Sequence, residues 1–325
     1  MDEPGLEVLR EVLRAERRIR PYVRETYLEH STYFSRLSGA NVYCKLENLQ
    51  YTGSFKARGA MNKLLSLSGE QRERGIVAAS TGNHGAAVAR SAGILGVDAT
   101  IFVPNGTDAS KIRSIESYGA KVRFHGDDCV ESEVFARRFA EENGLVYVPP
   151  YNDLQVIGGQ GTVGVEILRQ LSEVDAIFAS VGGGGLISGI AAYVKAVSPS
   201  TEIVGCSPEN SQVMIQSVKA GRILDIPSLP TLSDGTAGGV EEGSITFDLC
   251  SSLVDRFITV SEEEIRESLL AFMEAHHMLI EGAAAVAIAS FLKLRDEFRG
   301  KNVVVVICGA NIGIEKLRDV LQEAR

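Results

Sequence analysis

Three stretches of this 325-residue chain hold residue types whose spacing could do chemistry. The run SVGGGGLISG places Gly182, Gly183, Gly184 and Gly185 between a β-rich segment, DAIFASV, and a helical one, LISGIAAYVKAV. Residues without Cβ let backbone N–H groups close on an anion, and the helix that follows adds its positive end, so a phosphate is the natural guest. In YTGSFKARGA, Lys56 follows Phe55 and a Gly-Ser turn at the start of a helical pattern. An aromatic neighbour and partial desolvation disfavour the ammonium and free the amine as nucleophile or base, although a solvated lysine is the commoner state. STGNHG ends the β-rich GIVAAS and opens another helix. Its donors can hold a carboxylate, or Thr81 or Asn83 can serve as an ordinary helix N-cap.

Other residues of suggestive type read differently. ICGAN, with Cys308 and Asn311, ends a β-rich run, and a buried apolar thiol is the common state of free cysteine. A GxGxxG pattern at Gly159, Gly161 and Gly164 follows no convincing strand and has no acidic residue in the ribose-binding place, so helix packing explains it better than dinucleotide binding. His276 and His277 are adjacent in a helical run and point apart, which leaves joint metal ligation without a geometry.

These residues need strands and helices to position them. NVYCKLE, GIVAAS, DATIFVP, KVRFHG, LVYVPP, DAIFASV, EIVGCS and NVVVVIC are the strand candidates, separated mostly by segments of helical period. Continuous apolar strands joined by crossovers mean a mostly parallel sheet covered by helices on both faces, with ligands at the strand ends. The length fits two domains or one large α/β unit with an elaboration. Residues 221 to 244 form a long Gly- and Pro-rich loop, expected to be a lid or a substrate-side wall. The first twenty residues read as an amphipathic helix and not as a signal peptide.

Composition narrows the function further. With 33 basic and 42 acidic residues the formal charge is −9, which argues against nucleic-acid and anionic-membrane surfaces. No apolar run is long enough to span a bilayer, and the expected location is the cytoplasm. Five scattered cysteines without a CxxC pair read as reduced thiols, not as a disulfide framework or a zinc site.

Taken in order, SFKARGA, SxGNHG, SVGGGG, IEGAA and CGAN resemble the fold-type II pyridoxal-phosphate enzymes, and within them the serine/threonine dehydratase and serine racemase family. TLSDGTAGGVEEGSITF is similar to the threonine-dehydratase-like subgroup with phenylserine and hydroxyectoine-utilisation dehydratases. The resemblance implies two open, mostly parallel twisted sheets, tryptophan synthase β-like, with the cofactor in the cleft between a large and a small domain. Residues 1–70 and 150–325 would form the large cofactor-binding domain and 71–149 the small mobile one.

The same resemblance implies that Lys56 forms a Schiff base with pyridoxal 5'-phosphate and acts as the base at Cα. Ser54 would lie near it, Phe55 against the pyridine ring, and Glu281 close by. Asn83 would bond the ring 3′-oxygen, and Gly182 to Gly185 with the Leu186 N–H would hold the phosphate. Ser80, Thr81, Gly82, Asn83 and His84 would bind the substrate carboxylate. Cys308 would face the pyridine nitrogen as a neutral partner, which leaves that nitrogen largely unprotonated and favours prompt loss of a β-hydroxyl over transamination. The implied activity is α,β-elimination from a β-hydroxy amino acid of the L-threonine or L-serine type, giving a 2-keto acid and ammonia. A dehydratase for another 3-hydroxy amino acid, or a racemase of the same fold, is the alternative.

Two departures from the family pattern carry expectations. VGCSPENSQVM has Ser207 before Pro208 and Val213 where acidic ligands of a divalent cation stand in relatives, so no metal is expected there despite Glu209. Thr81 stands where common threonine dehydratases have Ala and serine racemases Ser; a hydroxyl on the face opposite Lys56 can reprotonate Cα and give racemase side activity, or the β-branched Thr, stiffer than Ser, only shapes the pocket. The sequence reads one helical pattern beyond CGAN, so no C-terminal regulatory domain and a catabolic role are expected, and a homodimer is the family default.

Overall fold

The computed structural model describes residues 3–322, in which ten strands are found: β1 (Leu28–His30), β2 (Asn41–Lys45), β3 (Ile76–Ala79), β4 (Ala99–Val103), β5 (Lys121–Phe124), β6 (Val146–Tyr147), β7 (Ala176–Ser180), β8 (Glu202–Pro208), β9 (Arg256–Val260) and β10 (Asn302–Val306). They form two sheets, one ordered β1-β2-β10-β7-β8-β9 and one ordered β5-β4-β3-β6. Every pairing is parallel except that of β1 with β2. The expected fold class is therefore the observed one. β1 and β9 were not foreseen, the first because three residues cannot show a period. LVYVPP yields only the two-residue β6, since Pro149 and Pro150 have no N–H for the ladder.

Helices cover both faces of each sheet. Gly282–Leu294, reading GAAAVAIASFLKL, is apolar on nearly all sides and is buried against the larger sheet. Glu3–Ile19 is amphipathic as expected, burying Val8, Val12, Ala15 and Ile19 on one face. In the smaller sheet Ile76, Ala78, Ile101 and Val103 face one apolar layer while Val77, Ala79 and Phe102 face the other, the alternation that a strand covered on both sides requires.

The glycines of the GxGxxG pattern lie inside the helix Leu154–Gln170. A Cβ on Gly159 would stand 2.6 Å from Gly59 Cα, and one on Gly161 2.4 Å from Val12 Cγ2 and 2.7 Å from the Gly189 carbonyl. They let three helices approach closely. His276 ends the helix Glu262–His276, whereas His277 lies just outside it with φ +55°. From Gly221 to Ser244 the chain has no helix or strand apart from the single turn Asp234–Thr236, as the long-loop expectation held. No helix among the described residues is long and apolar enough to cross a membrane.

Three neighbouring parallel strands decide where chemistry can happen. β2, β10 and β7 lie side by side, with Val304 of β10 level with Tyr43 on one side and Ile177 on the other. Their C-terminal ends lead into Thr52–Lys56, Cys308–Asn311 and Gly182–Gly185 respectively. After β7 the chain proceeds outward to β8 and β9 and returns to insert β10 on the other side, a change of direction that leaves a crevice beyond the strand ends.

Candidate active site

Lys56 is the first residue of the helix Lys56–Ser66, with Phe55 at its N-cap. Phe55 N–H donates to the Cys308 carbonyl at 3.1 Å and Ala310 N–H to the Gly53 carbonyl at 2.9 Å, an antiparallel bridge that ties the lysine turn to the end of β10. The Lys56 Nζ lies 5.3 Å from the Phe55 ring centre and donates to the Pro150 carbonyl at 2.6 Å. Desolvation pulls its pKa down to about 8, against the opposing charges of Glu281 and Glu133. Near neutrality a useful fraction of this amine is therefore unprotonated. Just before it, the Ser54 hydroxyl is fully buried and meets no protein partner. Such a group is costly unless something else satisfies it.

Asn83 was a candidate N-cap, and so was Thr81; neither serves. Gly82 is the N-cap of Asn83–Leu95 without a side-chain bond, and Asn83 instead reaches across to Glu281, its Nδ2 lying 2.9 and 3.0 Å from the two carboxylate oxygens. Glu281 is itself the buried N-cap residue of Gly282–Leu294, and it accepts the Asn311 N–H at 3.0 Å. Burial raises its pKa, with the Asn83 and Asn311 hydrogen bonds pulling the other way. The Cys308 thiol lies 4.0 Å from Glu281 Oε1 and is held neutral, raised well above an ordinary thiol by burial and then by that carboxylate.

The glycine run forms the opposite wall. Gly184 has φ +83°, which favours a residue without Cβ, and Gly185 opens the helix Gly185–Val197. A Cβ on Gly183 would stand 2.4 Å from the Tyr151 ring, and one on Gly182 2.8 Å from Thr236 Cα. The run is thus pressed against Tyr151 and Thr236 on one side. Among the described residues, no hydrogen bond joins the amides of Gly182 to Leu186 to a protein acceptor, so consecutive donors at a helix N-terminus are available to an anion.

The remaining expected residues are close by but differ in posture. Ser80 Oγ accepts the Gly82 N–H at 3.2 Å, and Thr81 between them is partly buried. The His84 ring is buried, with Nε2 2.9 Å from the Val148 carbonyl, so that nitrogen carries the proton. Burial first, and then the Lys56 charge, lower its pKa to about 3, making it a neutral ring turned into the protein. The amides of Thr81 and Asn83 are what the loop offers to a carboxylate, since neither donates to a protein acceptor among the described residues. Ser207 donates to the Val181 carbonyl at 2.9 Å, and no group of three or more His, Cys, Asp or Glu among the described residues is arranged to hold a metal ion.

Sequence reasoning missed the strap Val148–Asn152. It holds His84 through Val148, Lys56 through Pro150 and the glycine run through Tyr151. Tyr151 Oη also accepts the Glu241 N–H at 3.0 Å, and Asn152 donates to Glu241 Oε2 at 2.8 Å, so the strap secures the 221–244 loop as well. Glu241 in turn pairs with Arg137 of the helix Cys129–Glu142. Two prolines beside a tyrosine were the only signal, and they read equally well as a plain turn.

The chain matches the family model described as pyridoxal-phosphate dependent enzyme over residues 19–309. It is 41% identical over 315 residues to the L-threonine ammonia-lyase of Thermotoga maritima, covering 97% of this chain and 78% of that protein. Among solved structures, the processed form of threonine deaminase isoform 2 from Solanum lycopersicum superposes with a TM-score of 0.94 at 32% identity, covering 100% of this chain and 94% of that one. Maize serine racemase superposes with a TM-score of 0.91 at 32% identity, covering 97% of each chain.

Proposed function

The chain belongs to the family of pyridoxal-phosphate-dependent enzymes, and from that membership we propose that it is an ammonia-lyase acting on a β-hydroxy amino acid of the L-threonine or L-serine type. The observation that carries the reading is the pairing of one depressed, half-buried amine with a row of unengaged amides and a neutral thiol around one crevice.

The residues fit the cofactor. The amides of Gly182 to Leu186 would hold the phosphate, Asn83 would donate to the ring oxygen, and Lys56 would be the point of attachment. Phe55 would support the ring and the orphaned Ser54 hydroxyl would gain a partner at its edge. When bound, the cofactor supplies a conjugated electron-withdrawing ring that stabilises negative charge at Cα. Cys308, held as a neutral thiol, would face the ring nitrogen and leave it largely unprotonated.

The protein's own steps are few. The amides of the Ser80–His84 loop orient the substrate carboxylate, and His84 stays neutral as part of the frame. Lys56 Nζ, with its pKa near 8, takes the Cα proton as general base. Tyr151 and the 221–244 loop keep water from the crevice. The Cβ–O bond then breaks as the Cα–H electron pair forms the Cα–Cβ double bond, and the leaving hydroxide takes the proton held on Lys56 Nζ and departs as water. Racemisation is the second reading, in which the Thr81 hydroxyl of the same loop would return a proton to Cα.

The division into residues 1–70 with 150–325 and a mobile 71–149 is part of this proposal, supported by the position of β3 to β6 between residues 76 and 147. So are a homodimer, to be read by light scattering, and a cytoplasmic location, which suits five unpaired cysteines.

The deciding experiment incubates L-serine, L-threonine and L-threo-phenylserine with the cofactor-loaded protein in deuterated water. Keto acid and ammonia are expected, falling about 1,000-fold or more in Lys56→Ala because that variant lacks the base. Deuterated D-isomer without keto acid, or full turnover by Lys56→Ala, would overturn the reading.

A further inference from the structure

Asn311 ends the CGAN run, and three segments remote in sequence meet at it. Its side-chain Nδ2 donates to the Thr52 carbonyl at 2.9 Å and to Asn83 Oδ1, while its backbone N–H donates to Glu281 Oε2 at 3.0 Å. Asn83 Nδ2 completes a closed ring by donating to the same carboxylate. Because a carboxylate only accepts, the Asn83 amide can face Glu281 in one orientation, with Oδ1 towards Asn311.

The turn that Asn311 grips is strained. Thr52 has φ +61°, a left-handed conformation that a β-branched residue rarely adopts, and its hydroxyl is buried without a partner. Gly53 follows with φ +71°, and a Cβ there would come within 3.1 Å of Asn311 Oδ1. Strain of this kind persists only where the surroundings over-determine it. Here the surroundings are Asn311 and the Ala310-to-Gly53 backbone bond, and the turn delivers Lys56 three residues after Gly53.

We propose that Asn311 is a positioning residue that fixes Lys56 and Asn83 relative to each other, one amide hydrogen holding the strained turn and the other holding Asn83 by its Oδ1 so that Nδ2 faces Glu281. It thereby sets both the reach of the amine and the place of the Asn83 amide beside the cofactor ring. The inference rests on the proposed placement of Lys56 and Asn83 at that ring. Loss of turnover in Lys56→Ala tests that placement separately.

The test titrates apoprotein with pyridoxal 5'-phosphate and follows the visible band of the bound cofactor against pH. Asn311→Ala is expected to raise the cofactor Kd about tenfold, the equivalent of the net worth of one hydrogen bond. Asn311→Asp, which turns acceptors towards Thr52 and Asn83, is expected to raise it further and to move the pH midpoint of the band upward. Adding Thr52→Gly to Asn311→Ala should recover the thermal midpoint lost with the turn but leave the Kd raised. Kd values within twofold of the parent in both single variants, or complete recovery of affinity by Thr52→Gly, would overturn the proposal.

Discussion

The amine of Lys56 differs from a surface lysine through its neighbours. It is only partly exposed, lies over Phe55 and donates a hydrogen bond to the Pro150 carbonyl. With its pKa lowered to about 8, the neutral form predominates above that pH and the ammonium below it. In the apoprotein, acylation of Lys56 by an amine-selective reagent should therefore rise through pH 8 and level off, while ordinary lysines keep rising towards about 10.4. Peptide mapping across the pH range checks this; a Lys56 profile overlapping that of exposed Lys121 would contradict it. Residue types made this site visible early. The glycine run was legible because few other roles suit four consecutive glycines before a helix, whereas Lys56 stood out only through its place in the ordered family motifs, a solvated lysine being the commoner state. The Asn83 orientation was not, since its partner Glu281 lies 198 residues away.

At the scale of elements, the glycine run and the Val148–Asn152 strap form one unit. Gly183 owes its lack of a side chain to the Tyr151 ring rather than to backbone freedom, because a Cβ would meet that ring at 2.4 Å. Gly183→Ala should displace either Tyr151 or the loop, raising the Kd for cofactor about tenfold or more, with a smaller loss of stability of about 1–3 kcal/mol. Cofactor titration alongside denaturant unfolding reads both; unchanged affinity would mean that the ring yields freely. Sequence period located the helix Leu154–Gln170 only indirectly, through the glycines judged to be packing residues, and the structure bears that out with Asp153 capping it through Gln155 and Val156 N–H at 2.9 and 3.0 Å. One short element escaped: β1 has three residues, too few for alternation to register, and exists because β2 supplies the ladder, whereas β6 was foreseen in LVYVPP but is only two residues long.

Across the whole molecule, a buried ionic network stands behind the site. Arg58, two residues after Lys56 and fully buried, donates to Glu47 at 2.7 Å through Nε and to Glu166 at 2.7 and 2.8 Å through its two terminal nitrogens. Lys45 Nζ joins Glu166 at 2.7 Å and the Thr26 carbonyl at 2.8 Å. Burial alone would raise Glu166, but the charges and hydrogen bonds of Arg58 and Lys45 overcome it and hold the carboxyl below the usual carboxylate range. Its contribution to stability is then full above the unfolded carboxylate value of about 4.3 and is lost as the pH falls below it. Arg58→Met should cost about 3–5 kcal/mol in denaturant unfolding at neutral pH, with a smaller deficit in acid, because two buried carboxylates lose their shared partner. An equal deficit at all pH values would refute that account. Arginine at position 58 gave no hint of this role, since charge in a sequence reads as solvated surface. By itself the sequence determined the α/β class, the strand ends that carry chemistry and the phosphate-type loop, because these follow from local period and from residues lacking a side chain. Tertiary structure alone decided which strand ends adjoin, that β10 inserts between β2 and β7, and that Asn83, Glu281 and Asn311 close into one ring. Those outcomes depend on contacts between residues far apart in the chain, whose energies appear only when burial removes water from between them.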